Sequence, residues 1–260
     1  MEYKHCLNCG ENLNGKYCSN CGQKTNTHRI TFQHFVFHDI MHGVFHFEKG
    51  MLFTAKQALL RPGKAALEYI AGKRVYYYNI FYFILLLIGV IVLISHLYGE
   101  LTSSTGTGEE MNEAGKKLES IFSQFGKLLV FLTVPLTALN SYIIFKRKKL
   151  NFSEHIVISG MLLLGTFLLV TFFMLLAIPS IIMPLPNLLK FLLLSFPFII
   201  LIYIIRVYQT AFKSDYNTFG FSYRMTLFLL LLLFELSVLF ILLMGIASNW
   251  GESDSIIYSL

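Results

Sequence analysis

The sequence predicts an all-α polytopic membrane protein of about five transmembrane helices, headed by a small CxxC-x8-CxxC ribbon and interfacial amphipathic helices. Three observations carry this fold class. Of 260 residues, 55% are hydrophobic and only 14% charged, against about 45–50% apolar and about 25% charged in soluble domains. The apolar residues gather in long runs without charge. All four Cys lie within the first 21 residues. So much apolar surface excludes a disordered chain, and four Cys are too few for a disulfide-dense scaffold.

The ribbon comes first, over residues 1–28. Cys6-Leu7-Asn8-Cys9-Gly10 and Cys18-Ser19-Asn20-Cys21-Gly22 are separated by eight residues. Each CxxC curls two sulfurs onto one ion, and the following Gly permits the tight turn. Asn14-Gly15 is the pattern of a type I′ hairpin, which would fold the second pair back on the first. Cys6, Cys9, Cys18 and Cys21 then close a tetrahedral site with no open position, which suits structural zinc. Iron in a rubredoxin-like site uses the same ligands, so both metals stay open. Two disulfides or a redox dithiol are the rival readings, and a reducing compartment disfavours the first.

Residues 29–74 are expected to be amphipathic and to lie at the membrane interface. Phe32, Phe35, Val36, Ile40, Val44, Phe45 and Phe47 supply one apolar face, of interfacial type. His34, His38, His42 and His46 recur every four residues. On a helix they form one stripe, a candidate second metal site or pH-sensitive face, or simply a polar stripe. Pro62 is placed to start a further short helix and Gly72 to end it. Lys73-Arg74 followed by Tyr76-Tyr77-Tyr78 is the basic flank and aromatic belt of an interface.

A bilayer core of about 30 Å needs about 20 apolar helical residues. Spans are expected at about 79–98, 128–145, 156–178, 187–205 and 225–247, with an acidic, Gly- and Ser-rich loop at 99–127 and a tail at 248–260. Pro135 and Pro197 are candidate helix breaks. No internal repeat is evident. Ten Lys and Arg lie in residues 1–74, four in Lys146–Lys149 and three in 206–224, leaving four of the 21 on the other side. By the positive-inside rule the N-terminus is cytoplasmic and the C-terminus external. The net charge of +6 then records topology, and no nucleic-acid partner is expected. Without an apolar stretch before the ribbon, the first span is expected to serve as an uncleaved anchor.

Three polar residues inside or beside the spans stand out. Glu235 falls near the middle of the fifth; it is either a proton or cation relay or a neutral acid hydrogen-bonded to a neighbouring helix. Thr133, Thr137, Asn140, Thr166 and Ser195 are the candidate partners. Glu154 and His155 open the third span. Asn151 three residues before Glu154 is a capping-box pattern, whereas His155 has no such explanation. Metalloprotease, hydrolase and P-loop motifs are absent.

Several segments resemble a known family. They are Cys6–Gly10, then Gly15-Lys16-Tyr17-Cys18 through Gln23, Arg29-Ile30-Thr31, His46-Phe47-Glu48-Lys49-Gly50, Arg61-Pro62-Gly63-Lys64, Glu68–Arg74 and Glu154–Val157. The chain is similar here to the uncharacterised bacterial membrane-protein family called domain of unknown function 3667, with Glu48 where that family carries Asp. The resemblance is close over the first 80 residues and elsewhere mainly one of hydropathy. It implies a ribbon followed by several spans in a bacterial inner membrane, and it supplies no activity.

Three functions follow as expectations. The first is a non-enzymatic scaffold or regulator whose ribbon docks a cytosolic protein partner or controls the membrane bundle. The second is a small proton- or cation-coupled transporter or channel using Glu235. The third is an intramembrane enzyme using Glu154 and His155.

Overall fold

The computed structural model describes residues 4–25, 50–105, 120, 132–181 and 186–247. The His34, His38, His42 and His46 stripe, most of the 99–127 loop and the 248–260 tail lie outside the described residues. What is described is a ribbon and a helical bundle: α1 Gly50–Leu60, α2 Pro62–Ile70, α3 Ile80–Thr105, α4 Leu132–Ile144, α5 Phe152–Ala177, α6 Asn187–Leu194, α7 Phe196–Phe212 and α8 Thr218–Ala247.

Among the described residues, four helical stretches are long and apolar enough to cross a membrane: Ile80–Thr102, Phe152–Ser180, Phe196–Asp215 and Thr218–Gly245. The described part of α4 is shorter than a span. Some helix bounds differ from the expected ones for local reasons. α5 starts four residues early because Asn151 caps it. The expected helix at 187–205 divides at Ser195 into α6 and α7, with a proline in the first turn of α7. A proline there lacks an N–H that the helix start leaves unpaired anyway. α7 then runs on to Phe212.

α5 is the centre of the bundle. Its first half is buried on all sides, from Ser153 to Leu162, and α1, α2, α3 and α7 all pack on it. Ala58, Ala65, Val157, Ile158, Met161, Leu164, Val207 and Phe212 form the middle of the core. α8 lies at the edge, with Leu230, Leu233, Phe234 and Ile241 exposed. Such an apolar outer surface is what a lipid-facing helix requires.

The short helices α1 and α2 dock into this bundle. Gly63 lies where a Cβ would collide with the backbone of Val207 and Ala211, so only glycine lets α2 cross α7 so closely. The Gly63 N–H donates to Thr210 Oγ1 at 3.0 Å, and the Tyr203 hydroxyl donates to the Ala58 carbonyl at 2.9 Å. Thr54 bridges the α3 entry: its hydroxyl donates to the Gly50 carbonyl and accepts from the Tyr78 N–H. Pro62 occupies the first turn of α2, and Gly72 follows the helix with φ +95°, the left-handed stop that a glycine favours.

The basic segments share one end of the molecule. Lys148 Nζ meets the Ala211 carbonyl and the Asp215 carboxylate, the latter at 2.9 Å. The Arg147 and Arg224 guanidinium groups both lie over the Tyr216 ring, at 4.8 and 4.5 Å from its centroid. Arg206 reaches the Leu60 carbonyl. Residues 60–74, 146–149 and 206–224 therefore gather around the ends of α2, α4 and α7.

Candidate metal centre

The ribbon is built from two copies of one unit. Lys4–Leu13 and Lys16–Thr25 align with Lys4 on Lys16, Cys6 on Cys18, Asn8 on Asn20, Cys9 on Cys21 and Gly10 on Gly22. The structure repeats the same bonds in each. Cys6 N–H donates to Glu11 O, and Cys18 N–H to Gln23 O, both at 2.8 Å. Gly10 N–H donates to Cys6 O and Gly22 N–H to Cys18 O, both at 2.9 Å. Leu13 pairs with Lys4, and Thr25 with Lys16. One antiparallel bridge closes each unit, His5 with Asn12 and Tyr17 with Lys24.

Two expectations are corrected here. There is an internal repeat, and it lies in the ribbon. There is no type I′ turn at Asn14-Gly15, because neither residue has the positive φ that such a turn requires. Each CxxC-Gly closes its own hairpin, so residues 14 and 15 merely connect two finished units. The positive-φ glycines are instead Gly10 and Gly22, at +81° and +73°. They turn their N–H groups back onto the first Cys of each pair.

The four sulfurs converge. All lie within 4.8 Å of one another, with Cys6 and Cys21 at 3.6 Å and Cys9 and Cys18 at 3.5 Å. These separations are far beyond a disulfide bond of about 2.05 Å, and the four cysteines are free. Four thiolates about 2.3 Å from a tetrahedral ion would stand about 3.8 Å apart. The set therefore fits a single metal ion. In each unit the first Cys is buried, Cys6 and Cys18, and the second more open, Cys9 and Cys21. Without an ion the thiols compete for charge. Burial raises the Cys21 pKa, but the Gln23 N–H, the Asn8 amide and neighbouring thiols outweigh it and bring it down to about 7. At Cys9 the Glu11 N–H lowers the pKa, and burial with the other thiols overrides it, up to about 11. A cation at the centre removes this competition by favouring the thiolate form of all four.

The ribbon rests on the bundle. Leu7, between the first two ligands, packs on Gly72, where a Cβ would stand 2.7 Å from Leu7 Cδ1. Gln23, directly after the second CxxC-Gly, is buried, and its Oε1 accepts from the Arg74 N–H at 3.3 Å. The contact lies on the turn that leads into Tyr77, Tyr78 and α3.

The other expected residues are spread through the membrane bundle. Glu235 accepts from the Asn140 amide at 2.8 Å, one of the partners expected for it. Glu154 makes the full capping box with Asn151, both bonds at 2.8 Å. His155 is buried, with Nδ1 2.7 Å from Ser141 Oγ and its ring stacked on Phe212. Glu235 and His155 bond to adjacent residues of α4, Asn140 and Ser141, while the Glu154 carboxylate turns back to cap α5. Sequence reasoning missed the buried Ser141, Ser159 and Tyr208 around His155. The spacing of Thr137, Asn140 and Ser141 on α4 was the available signal, a polar face at helical period in an apolar segment.

Residues 48–90 match the model of a family described as Protein of unknown function (DUF3667). No curated protein and no solved structure matches the chain. The matched segment spans α1, α2, the Gly72 turn and the first part of α3, and thus the surface on which the ribbon rests. The resemblance to that uncharacterised family is shown over these residues.

Proposed function

We propose that this is a bacterial inner-membrane protein whose N-terminal ribbon binds structural zinc and acts on its own membrane bundle. The role is regulatory and non-enzymatic. The observation that carries it is the seat of Leu7 on Gly72, backed by the Gln23 contact to Arg74. A ribbon whose ligand loop already packs on the entry to α3 is better suited to controlling the bundle than to recruiting a separate partner. Zinc is preferred over iron because four thiolates in a closed set need no open position and no redox chemistry. A structural zinc would supply about 10–16 kcal/mol of apparent binding energy, enough to order so short a segment.

The ribbon end faces the cytoplasm in this reading. The three basic segments gathered at that end support it, by the positive-inside rule. The transport reading draws less support, since Asn140 gives the Glu235 carboxylate a structural partner. The enzyme reading does too, since Glu154 caps α5 and His155 is enclosed by Ser141, Tyr142 and Phe212.

Hydrogen exchange on the full chain tests the proposal. Stripping the metal under reducing conditions should speed exchange at the N–H groups of Arg74 and Tyr77, and Leu7→Asp with metal retained should do the same. Unchanged exchange at both sites after complete metal loss overturns the proposal. A reporter joined after Leu260 that works only in the cytoplasm overturns the orientation.

A further inference from the structure

Cations crowd the end of the bundle where α4 and α7 finish and α8 begins. Lys146, Arg147, Lys148, Lys149, Lys213 and Arg224 all fall in these two connections, with Asp215 as their one carboxylate. Lys148 already holds Asp215, at 2.9 Å. The next acid along the chain, Glu154, is buried and spent on the α5 cap.

Tyr216 arranges two of these cations. It is buried, its hydroxyl accepts from the Arg147 N–H at 3.1 Å, and its ring lies under both the Arg147 and Arg224 guanidinium groups. Arg147 Nη1 donates to the Asp215 carbonyl, and Arg224 Nη1 to the Gly220 carbonyl. Among the described residues neither guanidinium meets a carboxylate. Each has five N–H donors, so most stay available. Two like charges on one ring repel each other, and an anion that bonds both relieves this.

An apolar row starts beside them. Phe219, Tyr223, Leu227, Leu230 and Phe234 are all exposed, Phe219 at 82% and Tyr223 at 61%. Steps of three and four place them on one face of α8. The row begins at the level of Arg224 and continues down the membrane-crossing stretch Thr218–Gly245.

We propose that this corner seats one anionic phospholipid. Its phosphate is taken by Arg147 and Arg224, and an acyl chain lies along Phe219, Tyr223 and Leu227. Guanidinium groups suit phosphate oxygens because their paired N–H groups match them. A phospholipid carries the anion and the apolar chain together, whereas an acidic polypeptide or a nucleic acid would leave the row uncovered. Basic pockets beside membrane helices are suited to such headgroups. The proposal rests on α8 crossing a membrane and holds whichever side this end faces.

The test uses the full chain in a non-ionic detergent. The probes are dioctanoyl phosphatidylglycerol, dioctanoyl phosphatidylcholine and inorganic phosphate. The phosphatidylglycerol should raise the unfolding midpoint saturably and bind about tenfold more tightly than the phosphatidylcholine, whose choline offsets its phosphate. Inorganic phosphate should give no saturable shift over the same range. Arg147→Gln with Arg224→Gln should weaken phosphatidylglycerol about thirtyfold, the value of two interfacial cations, and Arg224→Gln alone about fivefold. Lys4→Gln with Lys16→Gln removes the same charge from the ribbon and should change nothing. The proposal is overturned if the two lipids bind alike, or if phosphate shifts the midpoint as phosphatidylglycerol does. It is also overturned if the ribbon substitutions weaken the lipid as much as the arginine ones, which would mean diffuse charge only. A hexaglutamate peptide or an oligonucleotide acting as strongly as phosphatidylglycerol overturns it too. Arg224→Gln alone keeps the comparison decisive if the double variant does not accumulate.

Discussion

Asn140 on α4 donates its side-chain amide to the carboxylate of Glu235 on α8, at 2.8 Å. Among the described residues, α8 is buried along only a small part of its length, so this bond matters for its attachment. Glu235→Gln keeps an accepting oxygen and should cost little. Glu235→Leu strands the buried Asn140 amide and should cost about 1–3 kcal/mol. Adding Asn140→Leu should recover most of that loss, because no unpaired group is then left. Unfolding midpoints of the four proteins in one detergent decide it. If Glu235→Leu is as stable as the wild type, the pair has no structural role.

The two-unit ribbon makes a symmetric prediction. Gly10 and Gly22 hold equivalent left-handed turns, and a Cβ at either would meet nothing within 4 Å. Alanine at each position is therefore penalised by backbone conformation alone, by about 1–2 kcal/mol. Gly10→Ala and Gly22→Ala should each weaken metal binding at the four cysteines by about 5–30-fold, and by similar factors. Competition with a chelator of known affinity measures both. Markedly unequal losses would show that the two units do not bear the ion alike.

Much of this architecture is legible in the sequence because membrane insertion needs long uncharged runs. The run at 79–98 stands out on that ground alone, and the run at 225–247 is interrupted only by Glu235. Local signals were equally direct: Pro62 and Gly72 bracket α2, and Asn151 with Glu154 gives the capping box. Long-range packing left no such mark. Nothing local says that Gly63 will cross α7 or that Leu7 will rest on Gly72. The repeat was written in Lys4–Leu13 and Lys16–Thr25, but the strong turn signal of Asn14-Gly15 pointed to the wrong hairpin. Metal-binding turns of this kind take their geometry from the two CxxC-Gly units, which override the connector's own preference.

Tyr77 offers a pH-dependent check on the entry to α3. It is buried, and its hydroxyl donates to Glu68 Oε2 at 2.7 Å. Burial first, and then the bond to Glu68, raise its pKa above the ordinary value of 10.0. A folded-state pKa above the unfolded one favours the neutral phenol. That stability is fully present below pH 10 and is lost as the pH climbs from there toward the folded pKa. Tyr77→Phe should cost about 0.5–1.5 kcal/mol at neutral pH. The difference from the wild type should shrink above about pH 10. Parallel unfolding curves across that range would contradict the assigned bond.

Gly165 on α5 gives the Tyr203 hydroxyl its path to the Ala58 carbonyl. A Cβ at position 165 would overlap the Tyr203 phenol end, and Tyr203 is itself buried. Gly165→Ala must therefore push the ring aside, which breaks the tie between α7 and α1 and strains the core. Overpacking of this kind costs about 1–3 kcal/mol. Tyr203→Phe removes only the hydroxyl and should cost about 1 kcal/mol. Tyr203→Leu alone should cost more, since it leaves a void beside Gly165. In the presence of Gly165→Ala, however, Tyr203→Leu makes room for the new methyl group. The double variant should be more stable than the sum of its two losses predicts, a coupling readable in a double-mutant cycle. Simple additivity would mean that Gly165 and Tyr203 are not in contact.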